Sequence, residues 1–246
     1  IPMTEKLKTA IENLYTVFSK YPGNASMSGS SNYDDLDSWN KQLYTKKLRK
    51  LTEDDLSRFV GKVITTWGGE NDFKHFLPRI LELTAELNTP YDIWVLYGKL
   101  EIANYMNWPL TEQTAIHDFT RSLWDNLLSD NSEKAEFEFT DYFHAIVYFY
   151  PDFASILKIW EDNTDFSAIK YLVNYVLNEN HHIFENNFID SRERNTKDVA
   201  EFKTWLCSEA LLKKIEQAFY RFEKDEIAEK ISWVEKILLD KKKYSL

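Results

Sequence analysis

The sequence predicts an all-α protein, and three observations carry that expectation. Apolar residues recur every three to four positions through most of the chain, the spacing that gathers them on one face of a helix. No stretch alternates apolar and polar residues as a half-buried strand does. Only 6 Gly and 6 Pro occur among 246 residues, too little punctuation for the many turns of an all-β fold. About ten helices with short links are expected to stack as antiparallel hairpins, within one domain over residues 1–246. The segment "LTEDDLSRFVGKVITTW" (51–67) is echoed by "LTEQTAIHDFTRSLW" (110–124), each opening Leu-Thr-Glu, passing a Phe and ending at Trp. That echo favours an irregular, HEAT-like α-solenoid over a compact multi-helix bundle.

Each element has its own signal. Residues 4–21 carry Leu7, Ile11, Leu14, Tyr15 and Phe18 at helical spacing. "YPGNASMSGSSN" (21–32) is small and polar, so a flexible loop is expected over 21–37. A short segment around Trp39 and Leu43 follows. Thr52 is a natural N-cap with Asp55 three residues on, and the helix it opens should turn Leu56, Phe59, Val60, Val63, Ile64 and Trp67 inward before Gly68-Gly69 stops it. Asn71 can cap the next helix, 71–87, whose stripe of Phe73, Phe76, Leu77, Ile80 and Leu81 runs through Pro78 and so predicts one kinked helix. Further helices are expected at 90–105, 111–129, 140–150, 152–163, 165–180, 196–207, 208–223 and 225–241. Thr89-Pro90, Pro109, Pro151-Asp152 and Asn195-Thr196 supply the start signals. "YFHAIVYFY" (142–150) is apolar on nearly every side and predicts a surrounded helix.

Charge and composition narrow the function. The formal net charge is −10, from 30 Lys+Arg against 40 Asp+Glu. Nucleic-acid affinity comes mainly from cations that neutralise phosphates, so no nucleic-acid partner is expected. An acidic surface suits a basic protein partner instead. Aromatic residues reach 15%, and most fall on helical stripes, where they read as core. Cys207 is the only cysteine and lies in a helical stripe, which predicts an inert buried thiol. No apolar run approaches membrane-spanning length and "IPMTEKLK" lacks a signal-peptide core, so no membrane and a cytoplasmic location are expected.

Two sets of residues stand out as candidate sites. "TTWGGENDFKHFLPRI" (65–80) frames Asp72, Lys74, His75 and Arg79, which are expected at least partly exposed beside the Pro78 kink, as a partner-binding surface. The second set comes from the histidines. Three of five have a carboxylate three residues earlier: Asp72/His75, Asp141/His144 and Glu179/His182. This spacing puts both groups on one helix face, as in di-iron bundles, and Glu179, His182 and Glu185 could offer three metal ligands. The competing reading makes His144 a hydrogen-bonded core histidine and places His182 at a polar helix end. Asp34, Asp35 and Asp37 with residues 125–133 loosely resemble paired magnesium motifs, but the first cluster follows a Gly/Ser-rich loop and its spacing is a residue short. No phosphate loop, nucleophile elbow or zinc-protease motif occurs, and no cofactor is expected.

The segment "LRKLTEDDLSRFVGKVITTWGGENDFKHFLPRILEL" resembles a group of uncharacterised bacterial all-helical proteins that share a Thr-Thr-Trp-Gly turn followed by Asp-Phe-Lys-His-Phe-Leu-Pro-Arg. The likeness covers about 40 residues and implies a helical fold without implying an activity. A non-enzymatic binding module is the leading expectation, in the form of an immunity protein that neutralises a basic bacterial toxin or effector. The alternatives are a metal-dependent enzyme built on the Asp/Glu-x-x-His pairs and a helical-repeat scaffold.

Overall fold

The computed structural model describes residues 3–189 and 196–244. Helices α1 (Glu5–Phe18), α2 (Leu36–Leu43), α3 (Glu53–Lys62), α4 (Glu70–Ala85), α5 (Ile93–Ile102) and α6 (Leu110–Ser129) come first. They are followed by α7 (Glu133–Phe149), α8 (Phe153–Asp162), α9 (Phe166–Phe184), α10 (Thr196–Leu206), α11 (Glu209–Arg221) and α12 (Ala228–Tyr244). Short 3₁₀ turns sit at Leu48–Lys50 and Tyr105–Asn107. Among the described residues there is no strand, only isolated bridges from Trp67 to Gly29 and to Val63. The fold is therefore all-α. The chain divides into two compact units, Pro2–Leu123 and Trp124–Leu246 with Ile1, the boundary falling inside α6.

In the N-terminal unit α1 packs along α4. Thr4 caps α1 by accepting from the Leu7 N–H, and Leu7, Ile11, Leu14 and Phe18 form its buried face. Thr52 and Asp55 form the expected capping box of α3: the Asp55 N–H donates to Thr52 Oγ1, and Asp55 Oδ2 accepts from the Thr52 N–H at 2.8 Å. The helix then stops at Lys62, five residues short of Trp67, where the pattern placed its end. Val63 turns extended and Ile64 takes a left-handed φ of 68°. The Lys62 carbonyl collects the N–H groups of Thr65, Thr66 and Trp67, and Trp67 swings back to lie 5.4 Å from the Phe59 ring. What defeats the helix is the pairing of this turn with the 28–30 loop: Ser30 N–H donates to Thr66 O, and Gly68 N–H to Ser28 O. Gly68 has φ +69°, in the left-handed region that favours glycine.

The next cap also differs from expectation. Gly69, not Asn71, is the N-cap of α4, and Asp72 closes that turn by accepting from the Gly69 N–H at 2.8 Å. The helix continues through a buried Pro78, with Phe73, Phe76, Leu77, Ile80 and Leu81 all inward. The echo between residues 51–67 and 110–124 has no structural counterpart. Leu51 is fully buried ahead of a capping threonine, whereas Leu110 is 75% exposed and Thr111 lies inside α6.

In the C-terminal unit α7 begins at Glu133, seven residues before the expected 140, because Ser132 caps it by accepting from the Ala135 N–H. Its second half is the surrounded helix expected, burying Phe143, Ala145, Ile146, Val147 and Phe149. Around it Trp124, Phe139, Trp160, Tyr171 and Phe202 join in edge and stacked contacts with centroids mostly 4–6 Å apart. The Trp124 and Trp160 indole N–H groups donate to the Ile156 and Ala168 carbonyls, so these buried rings leave no polar atom unpaired. Much of the aromatic content is core, as its spacing implied, while Tyr91, Phe137, Phe188, Tyr220 and Trp233 are exposed. Asn195, one of the expected start signals, lies outside the described residues.

Each unit also caps a helix C-terminus with a buried lysine from a neighbouring helix. Lys99 Nζ donates to Val63 O just past α3, and Lys214 Nζ donates to the carbonyls of Trp160, Glu161 and Asn163 at the end of α8. A cation there satisfies carbonyls that the helix leaves unpaired and suits the negative end of its dipole. Burial pushes the pKa of both lysines down, that of Lys214 to about 8.

Candidate functional site

The four residues expected at the surface of α4 are mostly engaged in holding the unit together. Lys74 is 3% exposed, against the expectation that it would be accessible. Its Nζ lies 2.7 Å from Glu70 and 3.1 Å from Glu112, and 4.1 Å from the centre of the Trp108 ring. The reason it is buried is Glu112, in the first turn of α6 and wholly inaccessible. Tyr21 Oη donates to Glu112 Oε1 at 2.6 Å, and Lys20 Nζ stands at the same distance from that oxygen. Lys74 faces Oε2 out of line for a hydrogen bond, so that oxygen is held by charge. Burial is the largest single influence on Glu112 and raises its pKa, but the bonds from Lys20 and Tyr21 and the charge of Lys74 together outweigh it and hold the carboxyl below its ordinary value. Burial likewise lowers Lys74, and its contacts with Glu70 and Tyr21 and the charge of Glu112 leave it raised. Both groups are charged, and with Lys20 and Glu70 the cluster is neutral.

Asp72 closes the Gly69 turn, as described above. Arg79 donates through Nε to the Leu51 carbonyl at 2.8 Å and through its Nη1 to Glu82 at 2.6 Å, tying the start of α3 to α4. His75 is half-buried. Its Nδ1 lies 2.9 Å from the Tyr21 carbonyl, which can only accept, so Nδ1 carries a proton and donates it there. The ring stacks on Tyr44, and a Cβ on Gly23 would meet Tyr44 at 2.6 Å and His75 Nε2 at 3.2 Å, so glycine is required where the 21–37 loop crosses this pair. Asn24 N–H on Tyr44 Oη and Asn40 Nδ2 on Met27 O fasten that loop further. Asp72, His75 and Arg79, partly exposed as expected, and buried Lys74 thus clasp α4 to its neighbours.

The residues of the metal-ligand alternative are not brought together. His144 Nε2 pairs with Tyr175 Oη at 2.8 Å, the core-histidine arrangement, while Asp141 points to the surface. Glu185 is engaged by Lys241, and His182 Nδ1 lies 3.4 Å from Asn186. Glu179 is partly buried on α9. Among the described residues no group of three or more His, Cys, Asp or Glu side chains could hold a metal ion. Cys207 is half-buried, and burial raises its thiol pKa, away from the reactive thiolate.

The surface feature that the sequence reading missed is on α7. Phe137 is 84% exposed, the most exposed large apolar side chain among the described residues. Glu133 and Asp141, one turn either side of it, share its helix face, and Glu136 is its exposed neighbour. Glu136 also borders a groove lined by Lys170, Asp225, Glu226, Ile227 and Lys230. Glu136 and Lys170 neutralise each other at 2.8 Å, which leaves Asp225 and Glu226 against Lys230 in the groove, and Glu133 and Asp141 against Lys134 on the Phe137 face. The signal was legible in principle, as an apolar residue off the buried stripe with acids at −4 and +4. Starting α7 at 140 removed it from view. No family model, curated protein or solved structure matches the chain.

Proposed function

We propose that this chain is a non-enzymatic protein-binding module for a basic partner, of the kind an immunity protein provides by covering a toxin or effector. The observation that carries the reading is Phe137, an aromatic side chain 84% exposed on α7 with the exposed carboxylates of Glu133 and Asp141 one turn either side of it. Leaving a phenylalanine exposed forgoes about 2 kcal/mol of burial, which a partner recovers on docking. Aromatic anchors within a charged rim are where binding energy concentrates, and the carboxylates steer a cationic surface toward it. The net charge of −10 acts in the same direction.

The test is affinity purification from the native host with the wild-type protein and with Phe137→Asp side by side. The reading expects a partner with a basic isoelectric point that is retained by the wild type and lost with Phe137→Asp. It also expects a steep loss of binding as salt is raised, because exposed charges are screened beyond about 8 Å at physiological ionic strength. A partner that binds Phe137→Asp as well as wild type, or an acidic partner, would overturn it.

A further inference from the structure

A cavity of about 340 Å³ opens between α2 and α3 in the N-terminal unit, away from Phe137 in sequence and in construction. Trp39 and Gln42 of α2 form one wall, Asp54, Ser57 and Arg58 of α3 the other, and Trp67 closes the back. Its charged groups are in an unusual state. Asp54 and Arg58 are one helical turn apart, the spacing at which an exposed acid and base ordinarily pair. Here the Arg58 guanidinium instead lies over the Trp39 indole, 4.7 Å from its centre, and among the described residues no carboxylate forms an ion pair with it. Asp55 is neutralised by Lys46 and held by Thr52, while Lys62, which does not line the cavity, donates to Tyr33 Oη and keeps its charge. Among the residues that line it, the cavity thus presents one cation and one anion without an ion-pair partner, one helical turn apart beside the Trp39 indole.

We infer that this cavity is a binding site for a small zwitterion of amino-acid type, its carboxylate on Arg58, its ammonium on Asp54 and its apolar side chain against Trp39. Stacking on Trp39 does for Arg58 what pre-organisation requires: it holds a planar donor fork toward α2 and keeps it from collapsing onto Asp54. A guanidinium and a carboxylate form the two-point match that distinguishes a zwitterion from a simple acid or amine. The cavity volume lies at the small end of the range for small-molecule sites, which suits one amino acid and not a peptide.

The experiment is a titration of the full chain with L-phenylalanine as probe, followed through the Trp39 and Trp67 indole N–H signals by NMR. 3-Phenylpropionate, which lacks the ammonium, and phenethylamine, which lacks the carboxylate, are the comparators. Saturable shifts at Trp39 are expected with phenylalanine, and at least tenfold weaker binding with either comparator. Arg58→Gln and Asp54→Asn are both surface changes and should each weaken phenylalanine binding about tenfold, the worth of one charge-assisted contact. Failure of phenylalanine to shift Trp39 saturably overturns the site. Equal binding by 3-phenylpropionate, or by Arg58→Gln with its unchanged spectrum elsewhere, overturns the zwitterion assignment. None of these outcomes depends on whether Phe137 engages a protein.

Discussion

Glu112 has no surface in contact with water, yet two lysines and a tyrosine converge on its carboxylate and keep it ionised. Breaking one side of such a cluster is costly, because the remaining charge stays buried. Lys74→Met is expected to lower stability by about 3 kcal/mol or more, read as a shift in the urea midpoint at unchanged slope. Lys74→Met combined with Glu112→Gln should cost less than the sum of the two. The pH dependence follows from the lowered pKa of Glu112. Its contribution is complete above the ordinary value of 4.5 and disappears as pH falls through the lower folded value, so Glu112→Gln should flatten the acid limb of the stability profile. Half of this cluster was legible. Glu70 and Lys74 are one turn apart on a readable helix, and their pairing follows from spacing alone. Glu112 lies 38 residues further on, and no local pattern reports which turn of α6 faces α4.

Helix ends separate what local patterns determine from what packing determines. Thr52 with Asp55 was readable because a capping box is completed within four residues. The end of α3 was not, because the apolar spacing of Val63, Ile64 and Trp67 continues the helical stripe while the backbone has left it. Only the 28–30 loop and Lys99, both remote in sequence, account for the turn. Lys214 is the corresponding device on α8, and its consequence can be measured. Its ammonium holds three carbonyls in a site that disfavours charge, with a pKa near 8 against an ordinary 10.5. Between those values the unfolded chain binds a proton that the folded chain has released, so stability from this group rises with pH from about 8 to 10.5. Lys214→Met should abolish that rise. It should also cost about 1–3 kcal/mol at neutral pH by orphaning the end of α8.

Taken together the chain is two all-helical units, each with its own ring-lined core, carrying a strongly negative charge. The all-α class was readable throughout, since 3.6-residue periodicity needs no tertiary information. On α4 the spacing locates Asp72, Lys74, His75 and Arg79 but not the remote partners that engage them, whereas Phe137 lies ahead of the helix start expected at 140. Among the described residues no helix is long and apolar enough to cross a membrane. The eight tryptophans have a spectroscopic consequence. Trp67, Trp108, Trp124 and Trp160 are at most 5% exposed, while Trp233 on α12 is 49% exposed. Trp39, Trp94 and Trp205 lie between these limits, so native emission should combine a blue-shifted fraction beyond the reach of acrylamide with a quenchable one, and Trp233→Phe should lower the quenchable fraction. Unfolding then moves the whole band to the red, giving the protein a built-in optical readout for every stability measurement above.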